Sequence, residues 1–472
     1  MLKLYNTLTR QKEVFKPIKK DEVSFYYCGP TVYWTQHLGN LRGLFCADTI
    51  IRTLRYLGYE IKSVRNYTDV GHLTGDNLGD ADTGEDKIEK AARKENLSPK
   101  EIADKYIKVY EQDAKELNML EPTAKPRATE CIKEMIAMIQ TLLDKDCAYT
   151  TGLAVYFDVG KAKNYTQLSG QKLEEQIRGA GKGDIADPQK KHPADFALWF
   201  FKAGRHQNAL QYWPSPFKSL LVENGEGFPG WHIECSVMSK KFLGETIDIH
   251  LGGIEHIPIH HTNEIAQSEA ASGVKFVNYW LHNEHLLANN KKMSKSAGTG
   301  YTLTEVKDKR FTPLALRYLF LQAHYRSKQN FTWEIMASAQ NGFTRFVSQV
   351  KELGDKIGKI DQKWQEEFIE KISDDFNTPQ ALAVAQNLLK SNLDKKDKLA
   401  TILDFDQVFG LNLNKVRKEK TAILTKIKKL GKEREVARQK KDWSKADKLR
   451  KEIEQQGYQI EDTDKGPKLS PR

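Results

Sequence analysis

The sequence has few cysteines: Cys28, Cys46, Cys131, Cys147 and Cys235 are the only five in 472 residues, and no two make a Cys-x-x-Cys pair. An odd number so widely spaced excludes a disulfide framework and leaves reduced thiols, of which one or two could be metal ligands. Long apolar runs are also missing, since nowhere do the ~18 uncharged apolar residues of a membrane span follow one another. The start, Met1-Leu2-Lys3-Leu4-Tyr5, carries no apolar stretch ahead of a small-residue cleavage site, so a cytoplasmic protein is expected. No internal repeat is found. The Gly- and Asp-rich stretch 71–86 lacks the Asp-x-Asp-x-Asp-Gly order and closing Glu of a calcium loop, and reads as a solvated loop.

What is there points to a folded protein of several parts. Apolar residues make up 39% of the chain, with 8 Trp, 18 Tyr and 20 Phe, which is ample material for a core. At roughly 150 residues per domain the length suggests two to four domains. The net charge is +11 and the pI about 9.0, a balance that favours polyanionic partners. Most of that charge is local: residues 415–454 hold 16 Lys and Arg against 7 Asp and Glu. Periodic charge of this kind suits either a solvated helix or a nucleic-acid backbone, and the size of the surplus favours the second.

The run Val23–Tyr27 predicts a strand stopped by Cys28-Gly29-Pro30, Leu41–Leu57 a helix closing at Gly58, and Glu60–Tyr67 a second strand. That order is a βαβ unit and implies a parallel sheet. Helical patterns follow at 87–118 and 129–145, then a strand over Ala154–Val159 and a Gly-, Lys- and Asp-rich connector at 179–193. Sheet signals resume at Gly230–Cys235 and Thr246–His250, with a helix over His260–Gly273 and a strand over Phe276–Leu281. From Thr312 the pattern is almost wholly helical, Asp374-Asp375 and Pro379 starting one amphipathic helix, and a strand-like end follows Gly457.

Three constellations carry chemistry. His37-Leu38-Gly39-Asn40 stands at the mouth of the first helix, where Gly39 lets a nucleotide approach the backbone and the helix N-terminus favours phosphate. Ordinary capping is the alternative use of these residues. Lys292-Met293-Ser294-Lys295-Ser296 places two ammonium groups three apart on a loop, able to neutralise charge on a leaving pyrophosphate. The pair of segments matches the two signatures of class I aminoacyl-tRNA synthetases. Third, His260 and Glu264 share one helix face, and Cys28 and Cys235 each end a predicted strand, so the four could form a zinc site or could be inert buried groups.

At Tyr27–Tyr33, Gly230–Ser236, His260–Ser268, the Lys-Met-Ser-Lys-Ser loop, Asp374–Pro379 and Arg438–Arg450 the chain resembles the cysteinyl-tRNA synthetase family, in the family's order and from about residue 2 to 465. The resemblance implies an α/β fold. A Rossmann-like parallel-sheet catalytic domain would span 1–310 with an insertion at about 87–225, followed by a helical-bundle tRNA-binding domain at 311–412 and a small basic anticodon-binding segment at 413–472. It implies one Zn²⁺ per chain on Cys28, Cys235, His260 and Glu264, with the substrate's sulfur as a further ligand, and ATP with Mg²⁺ as substrate. His37, Gly39, Asn40 and Lys295 would meet ATP, His37, Asn40, Lys292 and Lys295 would act in catalysis, and Thr31, Thr68, Trp231 and His250 would contact cysteine. The implied partners are L-cysteine, ATP and a cysteine tRNA; the chain is expected to be a monomer without membrane contact. A metal-bound thiolate separates cysteine from serine in kind, where shape alone yields only ~1–3 kcal/mol.

Asn40, Thr262 and Gly71-His72 depart from common patterns; the last replaces an acidic pair and alters expectations near the cysteine. Two rivals are a cysteine ligase acting on an amino sugar, against which the basic tail counts, and an inactive synthetase-like RNA-binding protein, against which intact Lys292, Lys295 and the four ligands count.

Overall fold

The computed structural model describes all residues except 74–84, 172–186, 294–297, 456–457, 464–465 and 472. Its centre is a four-stranded parallel sheet in the order Val277–Asn283, Ile247–Gly253, Glu22–Tyr27, Glu60–Arg65. The helix Leu38–Tyr56 carries the chain from Glu22–Tyr27 outward to one edge, and the helix His260–Ser272 carries it from Ile247–Gly253 to the other. The strand order therefore reverses between Glu22–Tyr27 and Ile247–Gly253. A crevice opens there at the carboxyl ends, the place where open α/β sheets take ligands.

Burial follows from strand period. Val23, Phe25 and Tyr27 enter the core beneath the Leu38–Tyr56 helix, while Tyr26 enters the core shared with Ile233, Cys235 and Ile265. The first core continues into the helices Pro313–Leu321, Trp333–Lys351, Gln362–Ile372, Thr378–Lys390 and Lys395–Phe409, so bundle and sheet share apolar packing. Buried Arg317 pairs with Asp48 at 2.5 Å and donates to the Phe409 carbonyl at 2.6 Å, tying the bundle to the first sheet helix. The helices Leu413–Gln439 and Trp443–Gln455 and the antiparallel strands Tyr458–Thr463 and Gly466–Pro471 close around Ile427, Leu430, Leu449, Ile453 and Ile460.

Three expectations need correction. Gly230–Cys235 is no strand: Gly230 is the N-cap of a helix, Trp231–Leu243. Every residue from His232 to Ser239 is buried, and a helix covered all round loses the 3.6-residue alternation that would have revealed it. Cys235 thus lies within a helix, not at a strand end. The strand expected over Ala154–Val159 runs Ala154–Phe157 but does not stand alone, because with Ala148–Thr150, Phe196–Phe201 and, just beyond the insertion, Gly227–Pro229 it forms an antiparallel sheet. Phe-Ala-Leu-Trp-Phe-Phe is buried at all six positions and so shows no alternation either. Finally, Asp374-Asp375 precede the helix, which starts at Thr378 behind the Asn377 cap. Asp375 instead accepts from the Tyr5 backbone at 3.0 Å and from Tyr325 and Arg326 at 2.8 Å, fastening the N-terminal strand to the bundle. The loop expected at 71–86 and the connector at 179–193 fall largely outside the described residues.

Candidate active site

The crevice collects four side chains from three elements. Cys28 follows the first strand, its N–H donating to the Leu251 carbonyl at 3.2 Å across the switch point. Cys235 comes from the Trp231–Leu243 helix, and His260 and Glu264 stand one turn apart on His260–Ser272. One ligand atom from each of these four lies within 4.8 Å of every other, close to the ~3.4–3.8 Å edges of a tetrahedral zinc site. Cys28, His250, His261 and Glu264 form a second such group.

Hydrogen bonding distinguishes the two sets. His250 and His261 aim Nε2 at the Cys28 sulfur, at 3.6 and 3.4 Å. His261 is in turn held through Nδ1 by His282 Nε2 at 2.8 Å, and His282 by Thr7 at 2.8 Å. By contrast His260 Nε2 and both carboxylate oxygens of Glu264 are buried with no hydrogen-bond partner, although His260 Nε2 stands 3.0 Å from Glu264 Oε1. A neutral imidazole nitrogen and a carboxyl oxygen facing each other in the interior are satisfied by a shared proton or by a cation between them. Two thiols, one imidazole and one carboxylate are a donor set that suits zinc. His250 and His261 then orient the Cys28 sulfur from behind.

The protonation states agree. The neighbouring Cys235 thiol holds Cys28 well below the usual thiol range, whereas burial pushes Cys235 well above it. Burial lifts Glu264 well above the carboxylate range and lowers His260 to about 4. Each of these groups would take its ligand form on meeting a metal ion.

The expected cysteine contacts surround this cluster. Thr31 and Thr68 form a parallel bridge, and Thr68 donates to Glu234 Oε2 at 2.8 Å. Trp231 stacks on His260 with ring centroids 4.0 Å apart. His250 is wholly buried behind Cys28.

The nucleotide signatures also meet. His37 caps the Leu38–Tyr56 helix, its Nδ1 accepting from the Asn40 N–H at 3.3 Å. Gly39 is required there because a Cβ would stand 2.9 Å from the His37 ring, and that same Cβ would lie 3.8 Å from Met293. The first signature also pairs with the chain that follows the second, His37 bridging Thr302 and the Leu38 N–H donating to the Tyr301 carbonyl at 2.7 Å. Burial, with some help from Lys292, lowers the His37 pKa. Lys292 is exposed on the short strand Lys291–Lys292, and Lys295 lies outside the described residues.

Comparison with known proteins identifies the family. The model of the tRNA synthetases class I (C) catalytic domain matches residues 14–341. A cysteine–tRNA ligase of Burkholderia lata is 42% identical over 469 residues, covering 99% of this chain and 96% of the relative. The chain belongs to the cysteine–tRNA ligase family.

A second member of the cysteine–tRNA ligase family, from Treponema denticola, is 40% identical over 494 residues, covering 98% of each chain. Mycobacterium tuberculosis methionyl-tRNA synthetase in complex with methionyl-adenylate shares the fold, with a TM-score of 0.54 at 13% identity over 83% of this chain and 90% of that one. Within this cysteine–tRNA ligase family chain, sequence reasoning overlooked His261, His282 and His232, whose Nδ1 lies 3.0 Å from that of His260, as parts of the site. One signal was available: six of the 12 histidines fall between His250 and His285.

Proposed function

We propose that this chain, an ATP-dependent cysteine–tRNA ligase by family, selects cysteine through one zinc ion held by Cys28, Cys235, His260 and Glu264. The observation that carries the reading is the convergence of these four ligand atoms within 4.8 Å, with the acceptors of His260 and Glu264 otherwise unpartnered. When bound there, zinc supplies a soft Lewis acid for a substrate thiolate, which the oxygen of serine cannot match. The protein's own groups do the rest. His250 and His261 orient the Cys28 sulfur. Thr31, Thr68 and Trp231 frame the amino acid, and its carboxylate attacks the α-phosphate of ATP.

That step needs positioning and positive charge rather than a base. The first helix presents its N-terminus, His37, Gly39 and Asn40 to the phosphates, and Lys292 and Lys295 neutralise the leaving pyrophosphate that Mg²⁺ accompanies. The cysteinyl group then passes to the terminal ribose of a cysteine tRNA. Residues 1–310 would be the catalytic domain, 311–412 the tRNA-binding bundle and 413–472 the anticodon-binding segment, whose surplus of positive charge supports phosphate contact. No helix among the described residues is long and apolar enough to cross a membrane. A cytoplasmic monomer completes the reading.

The test is zinc content together with ATP–pyrophosphate exchange on cysteine and serine, in the intact chain and in Cys235→Ser. The intact chain should hold one zinc and activate cysteine alone; the variant should lose both. Serine activated as well as cysteine by the intact chain, or unchanged selectivity in the variant, would refute the mechanism.

A further inference from the structure

His72 is buried against Trp231 with ring centroids 4.2 Å apart and planes 9° from parallel. Trp231 in turn stacks on His260 at 4.0 Å and 20°. Both imidazoles are thus stacked on the one indole. His256 meets it edge-on at 5.7 Å.

The His72 ring is fixed by more than stacking. Its Nε2 is 2.6 Å from the ammonium of buried Lys87, and its Nδ1 is hydrogen-bonded to Thr31 Oγ1. An ammonium only donates, so Nε2 is the acceptor and Nδ1 carries the hydrogen given to Thr31. The backbone is held as well. The His72 carbonyl accepts from the Lys87 N–H at 3.1 Å. Gly71 has φ +70°, and a Cβ there would stand 2.2 Å from the carbonyl of Pro229, two residues before Trp231.

We propose that His72 is a positioning residue that locks Trp231 as the rigid wall of the cysteine pocket, and so sets the length of the thiol amino acid the site accepts. The inference rests on the zinc reading and completes it. A metal selects sulfur over oxygen, but a thiol one methylene longer carries the same donor atom and must be refused by shape. A rigid wall discriminates a methylene by roughly 10–200-fold, and an indole free to tilt forfeits part of that. Trp231, stacked on both a candidate metal ligand and an immobilised imidazole, is placed to supply it.

The experiment uses the zinc-loaded full chain, with pyrophosphate exchange on cysteine, homocysteine and serine for wild type, His72→Ala and His72→Phe. In His72→Ala, KM for cysteine should rise more than kcat falls, and the cysteine-to-homocysteine ratio of kcat/KM should narrow about tenfold. Zinc content and preference over serine should remain. His72→Phe, which keeps the flat ring but neither hydrogen bond, should recover part of the ratio, the remainder being what the bonds to Lys87 and Thr31 add. An unchanged homocysteine ratio in His72→Ala, loss of its zinc, or a His72→Phe variant no better than alanine would overturn the role given to His72. Failure of the zinc reading looks different: wild type itself would then activate serine.

Discussion

Around the Leu38–Tyr56 helix, buried Arg42 donates to Gln329 and to the carbonyls of Glu284, His324 and Ser327, and buried Arg317 donates to Asp48 and to the carbonyls of Phe409 and Leu117. On the opposite side of the sheet, buried Glu264 finds no donor for either oxygen and His260 none for Nε2. Both regions bury ionisable groups, and the difference separates two uses of them. Satisfied charges hold helices in place. An unsatisfied cluster, at about 1–3 kcal/mol per orphaned group, is tolerated where a ligand will complete it.

Four substitutions or titrations can break or sharpen this contrast. The largest effect belongs to the satisfied side. Arg317→Met leaves Asp48 buried without its main partner and should cost about 3–5 kcal/mol in denaturant unfolding, while zinc content and the cysteine-to-serine ratio stay as in wild type. On the unsatisfied side the pattern should invert. Glu264→Gln should weaken zinc binding and cysteine activation by at least ~100-fold, yet leave the thermal midpoint of the metal-free chain unchanged or higher, because it removes an orphaned carboxylate. A fall in the metal-free midpoint would place Glu264 among the structural charges instead. Third, His261→Asn removes a ring directed at the Cys28 sulfur and should lower zinc affinity about tenfold in a chelator competition, with little loss of fold.

The smallest effect is in pH. Burial raises the Asp48 pKa, but Arg317 and Arg52 outweigh it and hold the carboxylate below its usual value. A depressed carboxylate gives stability that is full above its unfolded pKa of about 4 and is lost as pH falls through the folded value. Wild type should therefore lose stability below about pH 4, and Arg317→Met should lose less over the same interval. Parallel acid curves for the two would show that Arg317 does not govern Asp48.

Much of this was legible in the chain, and the legible parts share a cause. Local chemistry sets a strand that stops at Cys28-Gly29-Pro30, a helix that opens behind His37 and a face that bears both His260 and Glu264, because turn residues, caps and the 3.6-residue period act over a few neighbours. The Trp231–Leu243 helix and the Phe196–Phe201 strand escaped the same logic. Both are covered on every side, so no polar face remains to mark their period. Likewise Gly39 is explained only by where the His37 ring lies, and His72 only by the indole it meets.

By itself, then, the sequence determined the parallel-sheet framework, the two signature segments and four candidate metal ligands, since each is encoded in residue type and short-range spacing. Tertiary structure alone decided that Cys28 and Cys235, 207 positions apart, meet with His260 and Glu264 within 4.8 Å, and that His250 and His261 stand behind a sulfur. The physical reason is that a ligand cluster is a property of distance in space. Distance is set by how strands order themselves in a sheet, which no local pattern contains.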